Sequence, residues 1–151
     1  MTDPIVKTVS VNCSVEHAFN VFVSRIGAWW PLGTHAVSAA DGKSALDATI
    51  EPRKGGRVYE TKHDGTTSDW GTVASYEPHA HFAMTWHPGR GPEKATFVEV
   101  TFEQHERYTL VTLTHSGWDI WGDEAADNIA SYTAGWGSIL GQLYVAACEE
   151  A

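Results

Sequence analysis

Apolar and polar residues alternate along Ile5–Val11, and the segment is rich in β-branched side chains, so it predicts a strand. The period then changes. Val15, Phe19 and Phe22 fall at i, i+4 and i+7 behind Ser14, an N-cap residue, and predict a short helix. A second helical turn over 26–29 must stop before Pro31. Period two returns at 45–51, 57–62, 70–77, 81–87, 96–102 and 111–115. Turn signals separate these runs: Gly55-Gly56, Asp64-Gly65, Pro78, the stretch from Pro88 to Pro92, and Glu106-Arg107. Alternation sets Phe82, Met84 and Trp86 on one face, Thr96, Val98, Val100 and Phe102 on the next, and Val111, Leu113 and His115 on the last. Trp70 and Tyr76 share a face on the strand between 70 and 77.

A final helix is predicted over about 124–148. Asp123, Glu124 and Asp127 suit the positive end of its dipole. Ile129, Tyr132, Thr133, Trp136, Leu140, Leu143 and Ala147 form one stripe. At 1.5 Å per residue the helix is roughly 36 Å long, enough to cross a curved sheet. Gly135, Gly137 and Gly141 each cost about 1 kcal/mol against alanine in a helix interior. They predict that a strand or a ligand comes close to the helix backbone. The pattern sums to a single α+β domain over 1–151: one strand, two short helices, six strands in hairpin succession and a long helix.

Composition changes this picture in one respect. Seven tryptophans in 151 residues exceed what closing such a core requires. No catalytic motif accompanies them, so they predict an aromatic-walled cavity, and binding before chemistry. Trp29 and Trp30 are adjacent, so one ring is expected in the core and the other facing a groove or cavity. The net charge is −9, and no Lys or Arg follows Arg107. An acidic C-terminal third argues against nucleic acid and membrane surfaces as partners. Neither a signal pattern nor a run of about 20 apolar residues is present, which predicts a cytoplasmic protein. Cys13 and Cys148 lack a CxxC spacing and read as reduced, packed thiols.

Candidate polar chemistry is sparse. His115 ends an inward-facing strand. Glu60 follows Tyr59 after a Gly-Gly turn, and a carboxylate turned into an apolar cavity becomes an acid or base by desolvation. Glu51 and Arg53 are expected to pair at the sheet rim. The eight histidines include His79 and His81 on one strand face, but no zinc-ligand spacing, so neither metal nor cofactor is expected.

In this order the pieces resemble the helix-grip fold of the START/Bet v 1-like (SRPBCC) superfamily, and within it the domain named after the activator of Hsp90 ATPase. The resemblance rests on Val9-Ser10-Val11 before 15–22, Trp29-Trp30-Pro31, Ile50-Glu51-Pro52-Arg53 with Gly55-Gly56-Arg57, and Trp70-Gly71. Glu77-Pro78, Thr85-Trp86, 96–98, Leu113-Thr114-His115-Ser116-Gly117-Trp118, and 132–136 with Leu140 continue it over nearly the whole chain. It implies a deep apolar cavity between a curved antiparallel sheet and the long helix. Relatives bind lipids, hormones or polyketides, and some are cyclases or hydrolases. Eukaryotic members that stimulate Hsp90 carry an additional N-terminal domain, for which this chain has no room.

The resulting expectation is a protein that binds an apolar or aromatic small molecule. Trp30, Trp70, Trp86, Trp136, Val98, Val111 and Leu140 would line the cavity, and Tyr59, Glu60, His115 and Tyr132 would supply its polar contacts. The alternatives are a cofactor-independent cyclase or hydrolase using Glu60 or His115 as base, and a chaperone-associated, stress-response interaction module. A weak homodimer is a further expectation.

Overall fold

The computed structural model describes residues 3–149. The alternating segments become β1 (Ile5–Val11), β2 (Asp47–Ile50), β3 (Arg57–Thr61), β4 (Thr67–Glu77), β5 (His81–Trp86), β6 (Thr96–Gln104) and β7 (Thr109–Ser116). All neighbouring pairs are antiparallel, and they make one curved seven-stranded sheet in the order β1-β7-β6-β5-β4-β3-β2. Only the β1–β7 pairing joins distant parts of the chain, setting Ile5 opposite His115 and Val11 opposite Thr109.

Two irregularities shape β4. Val58 pairs with Gly71 but Tyr59 with Asp69, which leaves Trp70 as an extra residue. Val73 pairs with Met84 but Ser75 with Ala83, which leaves Ala74 extra. Each bulge reverses the alternation, so Trp70, Val73 and Tyr76 all turn towards the interior side. Gly71 is required here, because a Cβ would collide with the carbonyl of Thr85 on β5.

Ser14 accepts from the amide of His17 and starts α1 (Val15–Ser24), followed by α2 (Ile26–Trp29). Trp29 and Trp30 are both largely buried, Trp29 against Tyr144 and Trp30 against Trp70 and Trp86. Trp30 has left the helix and is extended at ψ 136°, so its ring is not bound to the helical spacing. Each indole N–H has a carbonyl partner at 2.8 Å, Val21 for Trp29 and His35 for Trp30.

The long helix is not uniform. It comprises α3 (Ala125–Ser138), a π-helical stretch (Ile139–Tyr144) and α4 (Val145–Glu149), and a 3₁₀ segment (Trp118–Glu124) leads into it. Trp136, Leu140, Tyr144 and Cys148 are its deeply buried residues, spaced four apart, with Ile139 beside them. In a pure α-helix that spacing drifts by about 40° per step. The wider π turn takes up the drift and keeps the residues on one face. It also turns Leu143 out to 40% exposure, where the straight stripe had it inside.

The core between sheet and helix is aromatic in two halves. Phe19, Phe22, Phe102, Trp29 and Tyr144 meet with ring centroids 5.1–6.1 Å apart. Tyr144 adds a 2.7 Å hydrogen bond from its hydroxyl to the carbonyl of Ala18, which ties the helix tail to α1. Cys148 is buried and Cys13 half-buried, and both are free thiols. Burial pushes the Cys148 thiol up to about 12, so it is a poor nucleophile. No helix among the described residues is long and apolar enough to cross a membrane.

Candidate functional site

The second aromatic half is built from tryptophan. Trp30 lies 5.2 Å from Trp70, 5.6 Å from Trp86 and 5.7 Å from Trp136, centroid to centroid. Trp86 closes the group at 5.4 Å from Trp70 and 5.9 Å from Trp136. Trp70 is fully buried beneath it. These rings fill much of the space expected to be a cavity. A pocket of about 420 Å³ remains above them, between α3 and the segment following Trp30. Trp30, Trp86, Trp136 and Ile139 make its apolar floor. Tyr132, Ser131 and Gly135 of α3 form one wall, and Thr34, His35, Ala36, Val37 and Ala40 the facing one, with Pro88 and Gly89 at the β5–β6 turn.

Four of the expected residues therefore meet at the pocket: Trp30, Trp86, Tyr132 and Trp136. Trp70, Val98, Val111 and Leu140 are fully buried in the core and do not line the pocket; Trp70 is taken up in the tryptophan cluster itself. Tyr59 lies on the other side of β3, since Val58 and Glu60 are the buried positions and alternation turns Tyr59 away. Its ring carries the Arg57 guanidinium at 4.3 Å, and Arg57 pairs with Asp69 at 2.7 Å.

His115 and Glu60 also sit outside the pocket, each held in a closed hydrogen-bond set. The indole N–H of Trp136 donates to His115 Nδ1 at 3.0 Å. Indole nitrogen only donates, so Nδ1 is the acceptor and Nε2 carries the hydrogen. Nε2 then donates to Thr96 Oγ1 at 2.6 Å, and that hydroxyl donates to the carbonyl of Trp86 at 3.2 Å. Burial holds His115 well below its ordinary value, to about 3, so it remains neutral as this network requires. The Glu60 carboxylate accepts from Val37 N at 2.6 Å, Ser38 N at 3.1 Å and Trp70 Nε1 at 2.8 Å. All three partners are donors, so the group is consumed as an anchor. It fastens the short 3₁₀ segment Val37–Asp41, a wall of the pocket, to β3.

Polar groups that do reach the pocket are few. Tyr132 oxygen accepts from Trp86 Nε1 at 3.2 Å. Burial raises the Tyr132 pKa, against the opposing effects of that hydrogen bond and of the Arg90 charge. His35 Nδ1 meets Thr34 Oγ1 at 2.8 Å, and its Nε2 faces Gly135, where an added Cβ would lie 3.6 Å away. Of the three helix glycines only Gly135 is at the pocket; Gly137 lies near Lys7 and Gly141 faces open space. The expectation that all three mark one close approach is thus corrected. Residues 34–40 were missed as a wall. Their signal was the length of the connection from Trp29 to Asp47, beyond the roughly 12–15 residues usual for a structureless loop in a compact domain. Among the described residues no group of three or more His, Cys, Asp or Glu gathers as a metal site.

The family profile described as activator of Hsp90 ATPase homolog 1-like protein matches residues 12–147. A solved Bacillus halodurans protein is similar over 98% of both chains, with a TM-score of 0.70 and 18% identity. The Aha1 dimer from Colwellia psychrerythraea is similar over 97% of this chain and 96% of its own, with a TM-score of 0.69 and 19% identity. An anthrahydroquino-γ-pyrone synthase, Txn09, solved with a bound ligand, is 35% identical over 83% of this chain and 84% of its own, with a TM-score of 0.59. The first two establish the fold alone. A search of curated proteins found no match.

Proposed function

The chain belongs to the activator of Hsp90 ATPase homolog 1-like family, and from that premise we propose that it binds a flat, apolar or aromatic small molecule in the pocket between α3 and residues 34–40. The observation that carries the reading is the floor of three tryptophans, Trp30, Trp86 and Trp136, under an open volume of about 420 Å³. Such a floor gives a planar ring system large contact area, at about 25 cal/mol per Å² of apolar surface buried before ordering costs. It asks little of the ligand beyond flatness. Tyr132, His35, Thr34 and Ser131 are the polar side chains available to orient it. Native mass spectrometry of freshly purified protein tests for a retained ligand. Tryptophan fluorescence, titrated with polycyclic aromatic compounds, tests the pocket directly. Saturable quenching supports the reading, and its absence across a series of two- to four-ring compounds overturns it.

A second reading is a cofactor-independent ring-closing enzyme. The 35% identity to a γ-pyrone synthase favours it. Glu60 and His115 are too fully engaged to serve as its base, which leaves His35 and Tyr132 as the groups at hand. In the test reaction the phenol oxygen of an ortho-hydroxyaryl 1,3-diketone adds to the distal ketone carbon, and water is lost to give the γ-pyrone. Product formation faster than in buffer, and slower with Tyr132→Phe, supports this reading. The chaperone-associated alternative rests on the family's name alone.

A further inference from the structure

We infer that the ligand carries a carbonyl oxygen and that Tyr132 donates its hydroxyl hydrogen to it. The inference rests on the pocket being the binding site. Its own evidence is the direction of one hydrogen bond. A phenol oxygen both accepts and donates. Trp86 Nε1 can only donate, and it occupies the accepting side of Tyr132 oxygen at 3.2 Å. The hydroxyl hydrogen is left to point elsewhere, and no hydrogen bond to an acceptor among the described residues uses it. Rings hem the tyrosine in on its other sides: His115 at 5.1 Å, Trp118 at 5.3 Å and Trp121 at 6.5 Å, centroid to centroid. The pocket is the side lined by this residue that holds open volume.

Tyr132 is half-buried on the pocket lining, so its free donor is left to water or to a ligand, and a ligand oxygen that replaces the water keeps the hydrogen bond where a plain hydrocarbon loses it. Trp86 is then a positioning residue. It is both part of the apolar floor and the group that turns the tyrosine hydrogen towards the ligand. A ketone, quinone or pyrone oxygen at the edge of a flat ring system meets both demands. A plain hydrocarbon meets only one. The Trp86 N–H donates into the tyrosine oxygen and so polarises the hydroxyl towards donating its own hydrogen.

Xanthone and xanthene separate the possibilities, because they share one tricyclic outline and differ in a carbonyl against a methylene. Both are titrated by tryptophan quenching into the wild type, Tyr132→Phe and His35→Phe. The expected result is wild-type preference for xanthone by about tenfold, the worth of one good hydrogen bond. Tyr132→Phe should remove that preference by weakening xanthone alone, and His35→Phe should keep it. The infrared carbonyl band of bound xanthone should lie at lower frequency than in a hydrocarbon solvent. That comparison and the wild-type preference need no variant, so they decide the matter even if Tyr132→Phe folds poorly. Equal binding of both compounds by the wild type overturns the inference and leaves the pocket reading intact. A preference that survives Tyr132→Phe but is lost in His35→Phe moves the donor and overturns it as well. If neither compound binds the wild type, the pocket reading fails and the inference falls with it.

Discussion

Trp136 donates its indole hydrogen to Nδ1 of His115 at 3.0 Å, and this one bond fixes the tautomer of the histidine beneath the pocket floor. The same tryptophan is 1% exposed, touches Trp30 and Trp86, and still forms part of the pocket lining. It is therefore a core residue and a floor residue at once. Trp136→Ala should destabilise the domain by about 3–5 kcal/mol and also weaken binding of an aromatic probe. Urea unfolding paired with fluorescence or calorimetric titration measures both. A loss below about 1 kcal/mol would show that the cluster is loosely packed.

The neutrality of His115 makes stability depend on pH. Its folded value, about 3, lies below the ordinary 6.5. The unfolded chain therefore takes up the proton more readily. The stabilisation is complete above about pH 6.5 and is lost as pH falls towards 3, with a limiting slope of about 1.4 kcal/mol per pH unit. His115→Gln lacks this titration. The stability gap between wild type and His115→Gln should shrink as pH drops from about 7 to 4 in urea titrations. A gap that stays constant over that range contradicts the assignment.

Gly135 and Gly141 offer a contrast in sign. Both sit within the C-terminal helical segment with helical backbone, so alanine should add about 0.5–1 kcal/mol of stability at either. The new Cβ at position 135 faces His35 across the pocket, whereas at 141 it meets nothing within 4 Å. Gly135→Ala should raise the melting temperature yet weaken probe binding. Gly141→Ala should raise it and leave binding unchanged.

Glu60→Gln replaces one acceptor oxygen by an amide donor facing N–H groups of Val37, Ser38 and Trp70. The cost should be about 3 kcal/mol. Faster hydrogen exchange at the Val37 and Ser38 amides would show that the pocket wall has come loose from β3. A variant as stable as the wild type would mean that the carboxylate is not the anchor.

Much of the architecture was legible because one face of every strand is buried. Phe82, Met84 and Trp86 alternate cleanly, as do Val111, Leu113 and His115, and all six are inside. The phase of the last helical turns was not legible. Leu143 fits a straight α-helical stripe, and the π turn that displaces it has no sequence mark that periodicity alone detects. The site was half legible. Trp30, Trp86, Tyr132 and Trp136 are aromatic positions on inward elements, and pattern finds such residues. Pattern does not say how completely neighbouring rings fill a space, so Trp70 and Leu140 were placed on a cavity that those rings occupy. His35 and Val37 lie on a segment without periodicity, and tertiary contacts with Glu60, Trp30 and His63 give that segment its place.

The string of hydrogen bonds from Trp136 through His115 and Thr96 to the Trp86 carbonyl has tryptophans of the pocket floor at its two ends. Loss of any member would leave a buried polar group without its partner beside one ring or the other, so the two rings share one support. The rim is under no such restraint. Thr34, Ala36, Pro88, Gly89 and Ser131 lie on turns or on the outward side of a helix, and none of their side chains belongs to the string. Such a division means that substitutions at the entrance would change what the pocket admits without breaking a bond of the string. The aromatic floor would keep its shape while the entrance changes.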